Sequence, residues 1–167
     1  MITIIEASIA HIKDIQAVSE IAWPAAFSEL LSREQIAYMM RMMYSDTALR
    51  EQIEEKGHIF FLAKQDDRFV AYMSVEHDCE NSGKTKIHKI YVLPDLKNKG
   101  VGKTLLDTAI AEAKRANSKA LYLNVNKYNV GAIAFYLRNG FERIKEEVID
   151  IGNGFVMDDY VYEKPLK

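Results

Sequence analysis

The stretch Ile90-Tyr-Val-Leu-Pro-Asp-Leu-Lys-Asn-Lys-Gly-Val-Gly-Lys-Thr-Leu-Leu106 leaves the surrounding chain little freedom in how it folds. β-Branched and aromatic residues lead into Pro94, a basic loop follows, and Gly100 and Gly102 open a helical pattern that reaches about Ala116. A strand, a glycine loop and a helix start, in that order, call for an α/β arrangement. The first amide N–H groups of a helix have no internal partner, and the helix dipole adds partial positive charge there. Neither glycine carries a Cβ, so a ligand can come close to the main chain. Lys97, Lys99 and Lys103 add formal charge at the same place. Together these features suit a phosphate group. A tight strand-to-helix turn would use the same Gly-x-Gly, so the loop alone does not name what it holds.

The commonest nucleotide sites are excluded by spacing. A P-loop needs G-x-x-x-x-G-K-S/T, and only Gly100 and Gly102 precede Lys103-Thr104. A dinucleotide fold wants G-x-G-x-x-G after the first strand; here the loop lies mid-chain and Leu105 stands at the third glycine. A net charge of -2 argues against nucleic acid as a partner, because phosphate neutralisation needs a basic surface. With Cys79 as its one cysteine, the chain can form no internal disulfide, and no metal is expected. The N-terminus lacks the pattern of a signal peptide, and no apolar run nears the roughly 20 residues that span a bilayer. The expectation is a cytoplasmic protein with no membrane partner.

Along the chain, Ile2 to Glu6 is expected as a strand. Ile12, Ile15, Val18, Ile21 and Ala22 then fall at helical spacing, with an end near Trp23-Pro24. Ser32-Arg-Glu-Gln35 has the form of a capping box and starts a helix through Met43. Its Ile36, Met39, Met40 and Met43 face suits core packing or a flexible lip over a pocket. Ser45 caps a further short helix ending before Gly57. Ile59 to Ala63 and Phe69 to His77 flank the turn Gln65-Asp-Asp67 as a hairpin. Lys86 to Leu93 leads into the glycine loop. Ala120 to Val125 is strand and Val130 to Arg138 helix, stopped by Asn139-Gly140. Phe141 to Ile151 and Phe155 to Glu163 flank Gly152-Asn-Gly154 as a second hairpin. No repeat or linker divides this order, so residues 1–167 are expected to form one mixed α/β domain built on a single sheet.

Two segments resemble signatures of the GNAT superfamily of acyl-CoA N-acyltransferases. Lys97-Asn-Lys-Gly100-Val-Gly102 is similar to its pyrophosphate loop, Q/R-x-x-G-x-G/A. Asn126-Lys-Tyr-Asn129-Val-Gly-Ala132-Ile-Ala-Phe135-Tyr136-Leu-Arg-Asn-Gly140-Phe141 is similar to N-x-x-A-x-x-F-Y-x-x-x-G-F. Together they cover roughly residues 85 to 145. The usual Gln or Arg is Lys97 here, a compact cation rather than a planar fork.

The resemblance implies a central, mostly antiparallel twisted sheet of about seven strands, with helices on both faces. It also implies a splay between parallel fourth and fifth strands, 85–93 and 119–125. It implies acetyl-CoA as co-substrate, held by Ile90, Tyr91 and Val92, by Lys97, Asn98, Lys99, Gly100, Val101, Gly102 and Lys103, and by Asn129 and Tyr136. The main-chain N–H of Ile90 or a near neighbour would hold the thioester carbonyl. Tyr136 takes the position of the tyrosine that protonates the departing thiolate, although an aromatic here could simply pack on the sheet. Asn129 would contact the cofactor arm or act as an ordinary helix cap.

The base is open between two residues. His88 shares a strand face with Ile90 and Val92 and titrates near neutral pH. It also fits an ordinary hydrogen-bonded sheet histidine, and Glu76 on the neighbouring strand competes for the role. His11, His58 and His77 have no comparable placement. Asp158 and Asp159, with Glu76, Asp78 and Glu80, form either a solvated acidic surface or an attractor for a cationic acceptor.

The resemblance extends, more weakly, to bacterial polyamine and diamine N-acetyltransferases, which makes a small-molecule primary amine the expected acceptor. A peptide or protein N-terminal amine and a non-catalytic CoA-binding sensor are the alternatives. Family pockets are shaped by segments corresponding to 20–50 and 148–160. There Trp23, Phe27, Tyr38, Met39, Met42, Met43 and Phe155 suggest an apolar-lined entrance. A homodimer through the C-terminal strands is common in the family.

Overall fold

A computed structural model describes residues 1–166. Its strands are β1 (Ile2–Glu6), β2 (Ile59–Gln65), β3 (Arg68–Glu76), β4 (Thr85–Val92), β5 (Ala120–Asn126), β6 (Glu142–Gly152) and β7 (Phe155–Pro165). Its helices are α1 (Ile12–Phe27), α2 (Arg33–Tyr44), α3 (Asp46–Glu54), α4 (Val101–Arg115) and α5 (Val130–Arg138). The strands form one seven-stranded sheet in the order β1-β2-β3-β4-β5-β7-β6, with β4 and β5 parallel, as expected of the fold class.

The described residues gather into two compact units. One comprises Met1–Glu76 with Ile87–Glu112, and the other His77–Lys86 with the chain from Ala113 onward. In the first, β1 pairs antiparallel with β2, and β2 with β3. Phe60, Leu62, Val70, Tyr72 and Met73 are almost fully buried along this hairpin, and α1 contributes Ile15, Val18 and Trp23 to the core. In the second unit β7 lies between β5 and β6, antiparallel to both. Leu121, Leu123, Phe141 and Val161 are its main buried side chains.

Local chemistry accounts for most boundaries. Ser32 Oγ accepts from Gln35 N at 3.0 Å and Ser45 Oγ from Ala48 N at 3.1 Å, so both expected caps start their helices. Asn139 and Gly140 close α5, with Gly140 at φ 87° in the left-handed region.

One boundary differs from expectation. Helix α1 does not stop at Trp23-Pro24 but runs to Phe27, and Ser28 N donates to Pro24 O at 2.9 Å. Proline denies a hydrogen bond to the carbonyl four residues back, that of solvent-exposed Glu20, where water can replace it. Continuing the helix buries Phe27 against Trp23, ring centroids 4.6 Å apart. The apolar face of α2 is split: Met39 is buried, Ile36, Met40 and Met43 are half-buried, and Met42 is exposed.

Candidate active site

The glycine loop belongs to the first unit. Leu93 N donates to Val70 O at 2.9 Å and Leu96 N to Leu93 O at 2.9 Å, fixing where β4 ends. Lys97, Asn98, Lys99 and Gly100 are exposed, and the chain turns through positive φ at Asn98 (61°) and Gly100 (85°). A Cβ built on Gly100 would meet nothing within 4 Å, so backbone conformation, rather than crowding, calls for glycine there. Thr104 N donates to Gly100 O at 3.0 Å as the first helical bond, and the amides of Val101, Gly102 and Lys103 stand before it.

No acidic residue lies in the first turn of α4. Asp95, beside the loop, is bound by Arg68 at 3.1 Å, which holds its carboxyl below the usual range. Lys103 is paired with Asp107 one turn on, and the exposed Lys97 and Lys99 add positive charge beside the loop backbone. The loop thus offers amides and positive charge to an anion.

Behind the loop, β4 alternates as expected, with Thr85, Ile87 and Lys89 buried and Lys86, His88 and Ile90 half-buried. The Tyr91 ring lies against Trp23, Phe27 and Tyr72, at centroid distances of 5.6, 6.0 and 5.7 Å. A cofactor role for Tyr91 therefore falls to its main chain. Trp23 Nε1 donates to Tyr44 Oη at 3.0 Å and Tyr72 Oη to Tyr44 Oη at 2.6 Å, and burial pushes both phenols well up. Trp23 and Phe27 are thus core residues rather than an open apolar rim.

His88 and Glu76, the two candidate bases, are partners. His88 Nε2 lies 2.9 Å from Glu76 Oε1. A second imidazole reaches the same oxygen, His58 Nε2 at 3.3 Å. The two rings are stacked, centroids 4.1 Å apart and planes 11° from parallel. The sequence reading set His58 aside. The signal was the hairpin register: Ile59 pairs with Val75, so one step further His58 falls opposite Glu76. His11 caps a turn with Ser8, and His77 bonds Thr85 Oγ1 at 2.8 Å, its imidazole held below the usual range by burial and then by Arg115.

In the second unit, Asn129 Oδ1 accepts from Ala132 N at 3.3 Å, making Asn129 the cap of α5. Tyr136 is buried against Phe135 and Phe141, ring centroids 5.3 and 5.4 Å away, and burial pushes its phenol well up. A phenol so placed stays protonated and is a donor rather than a base. The acidic residues of the tail divide. Asp159 is only 2% exposed, with Asn124 Nδ2 at 3.4 Å, which removes it from any solvated surface. Asp158 pairs with Lys127 at 3.0 Å.

A model of the acetyltransferase (GNAT) family matches residues 15–141. A spermidine N(1)-acetyltransferase of Thermoplasma acidophilum is 28% identical over 88% of this chain and 91% of its own. An N-alpha-acetyltransferase of Saccharolobus solfataricus is 30% identical over 70% of this chain and 74% of its own. Among solved structures, a PaiA N-acetyltransferase from Thermoplasma acidophilum in complex with coenzyme A superposes with a TM-score of 0.83. That superposition covers 99% of both chains at 24% identity, a likeness of fold. With more than half its length matched by the family model, and both signatures in place on a loop and a capped helix, the chain belongs to the GNAT family and is an N-acetyltransferase.

Proposed function

We propose that the protein moves an acetyl group from acetyl-CoA to a primary amine of a small, polyamine- or diamine-like molecule. The family match over 15–141 carries this reading. That match runs through both compact units, which supports treating 1–167 as one acetyltransferase domain. Residues 97–103 take the cofactor's pyrophosphate on loop amides and lysine charge. Ile90, Tyr91 and Val92 take the pantetheine arm along the main chain of β4, and the N–H of Ile90 or a near neighbour takes the thioester carbonyl. Asn129 and Tyr136 complete the cofactor set.

In the reaction, the neutral amine nitrogen attacks the thioester carbonyl carbon and a C–N bond forms. Charge builds on the carbonyl oxygen and is held by the backbone amide. The C–S bond then breaks, and the Tyr136 phenol gives its proton to the thiolate. His88 takes the proton that the amine loses. Glu76 then acts as an orienting group rather than a rival base. By accepting from His88 Nε2–H it leaves Nδ1 with the lone pair and stabilises the imidazolium that forms. The products are the N-acetyl amine and CoA thiol.

A polyamine acceptor is supported by the likeness to the spermidine acetyltransferase, which extends over most of both chains. A peptide N-terminal amine is the second reading, supported by the N-alpha-acetyltransferase relative. Thiol release from acetyl-CoA, measured with spermidine, short diamines, amino acids and short peptides, separates them. Turnover is expected with polyamines, and His88→Ala should lower kcat about 100-fold, the lower end of what a positioned base contributes. Cofactor binding without thiol release on any amine would leave a CoA sensor and sink the catalytic reading.

A further inference from the structure

Two imidazoles and one carboxylate meet at the end of the β2–β3–β4 part of the first unit. His58 immediately precedes β2, Glu76 ends β3 and His88 lies in β4, so two of the side chains stand on strands and the third at the entry to one. One donor atom from each lies within 4.8 Å of the other two. Their side chains keep 10, 25 and 20% of their exposure, enough for an ion to reach them from water and little enough to hold them in place.

Nitrogen and oxygen ligands bind zinc at about 2.0–2.2 Å, and a tetrahedral ion sets its donors about 3.3 Å apart. The His58–Glu76 separation is 3.3 Å and the His88–Glu76 separation 2.9 Å, so little movement is needed on these two edges. Both Nε2 atoms already approach the same Glu76 oxygen, from rings stacked 4.1 Å apart.

Charge favours the same occupant. Two neutral imidazoles with an ionised carboxylate make a donor set of charge minus one, which a dication over-compensates. Imidazole selects zinc, copper, nickel or cobalt over magnesium and calcium. The expectation of no metal came from the scarcity of cysteine, which says nothing about a histidine–carboxylate set.

We infer that His58, Glu76 and His88 form a binding site for a divalent transition ion of the zinc class. Its consequence rests on the reaction proposed above: an ion on His88 Nε2 moves the ring proton to Nδ1, which then has no lone pair for the acceptor's proton, so zinc inhibits.

The test uses the full chain, stripped of metal with a chelator and titrated with Zn2+ by calorimetry and with Co2+ by visible absorption. One zinc per chain at micromolar concentration is expected, with no heat from Mg2+. His58→Ala and Glu76→Gln should each weaken zinc more than about 100-fold, since losing even an outer partner of a metal ligand costs about 10–100-fold. Should a variant fail to fold by circular dichroism, the ring-proton resonances of the unaltered chain decide, those of His58 and His88 shifting on zinc addition. No binding, magnesium binding as tightly as zinc, or affinity indifferent to both substitutions overturns the site. Loss of thiol release in step with zinc, restored by chelator, supports site and consequence together. Zinc bound through these residues with an unchanged rate supports the site and removes His88 from the proposed reaction.

Discussion

Tyr136 illustrates how far a single residue can be read. Its place in Phe135-Tyr136 marked it as a proton donor, and in the structure burial keeps its phenol protonated, which a donor needs. Tyr136→Phe removes one oxygen and leaves the ring to pack on Phe135 and Phe141. We expect kcat to fall about 100-fold, with the KM for acetyl-CoA changed much less, in a steady-state thiol-release assay. An unchanged kcat would take Tyr136 out of the chemistry. His58 shows the opposite case. No motif surrounds it, and its meaning comes from a partner 18 positions away in the β2–β3 pairing. Reading it from sequence required the register of a hairpin and not only its existence.

Elements were legible where local chemistry sets their limits and less so where packing overrules it. Ser32, Ser45 and Asn129 cap their helices because each side chain satisfies a first-turn amide wherever the helix packs. Pro24 pointed to a helix end that the burial of Trp23 and Phe27 overrides. The stop of α5 is set doubly. Gly140 has φ 87°, and a Cβ there would sit 2.6 Å from Lys164 Nζ, which itself donates to Asn139 O at 2.9 Å. Gly140→Ala is therefore expected to cost about 2 kcal/mol, part left-handed strain and part a displaced hydrogen bond. Gly57, at φ 72° with nothing near its Cβ position, should show the strain alone, about 1 kcal/mol on Gly57→Ala. Thermal melts of the two variants check this, at about 2–4 °C per kcal/mol. Equal shifts would mean that Lys164 moves aside freely.

On the scale of the whole molecule, fold class and family follow from the order of elements and two signatures, whereas buried charge leaves little trace in sequence. Asp159 looked like part of an acidic surface; in the structure burial raises its carboxyl above the ordinary 3.8, with Asn124 opposing and Glu147 adding. A raised acid favours the fold while it is protonated. Below about pH 3.8 folded and unfolded chains both hold the proton and no penalty exists. As pH rises toward the folded value the unfolded chain ionises first, so stability is lost over that window and stays lower above it. Asp159→Asn keeps an oxygen for Asn124 and removes the charge. Its melting temperature should exceed that of the unaltered chain at pH 7, and the gain should vanish near pH 4. A gain of the same size at both values would assign it to something other than ionisation.

The aromatic cluster in the first unit has one more consequence. Trp23 is the chain's single tryptophan, buried at 2% exposure, hydrogen-bonded to Tyr44 and in ring contact with Tyr91 on the strand that leads into the glycine loop. Its emission therefore comes from one known environment and carries no background from any other indole. The protein holds a built-in fluorophore beside β4, and displacement of Tyr91 would register as a change in colour and intensity with no label attached.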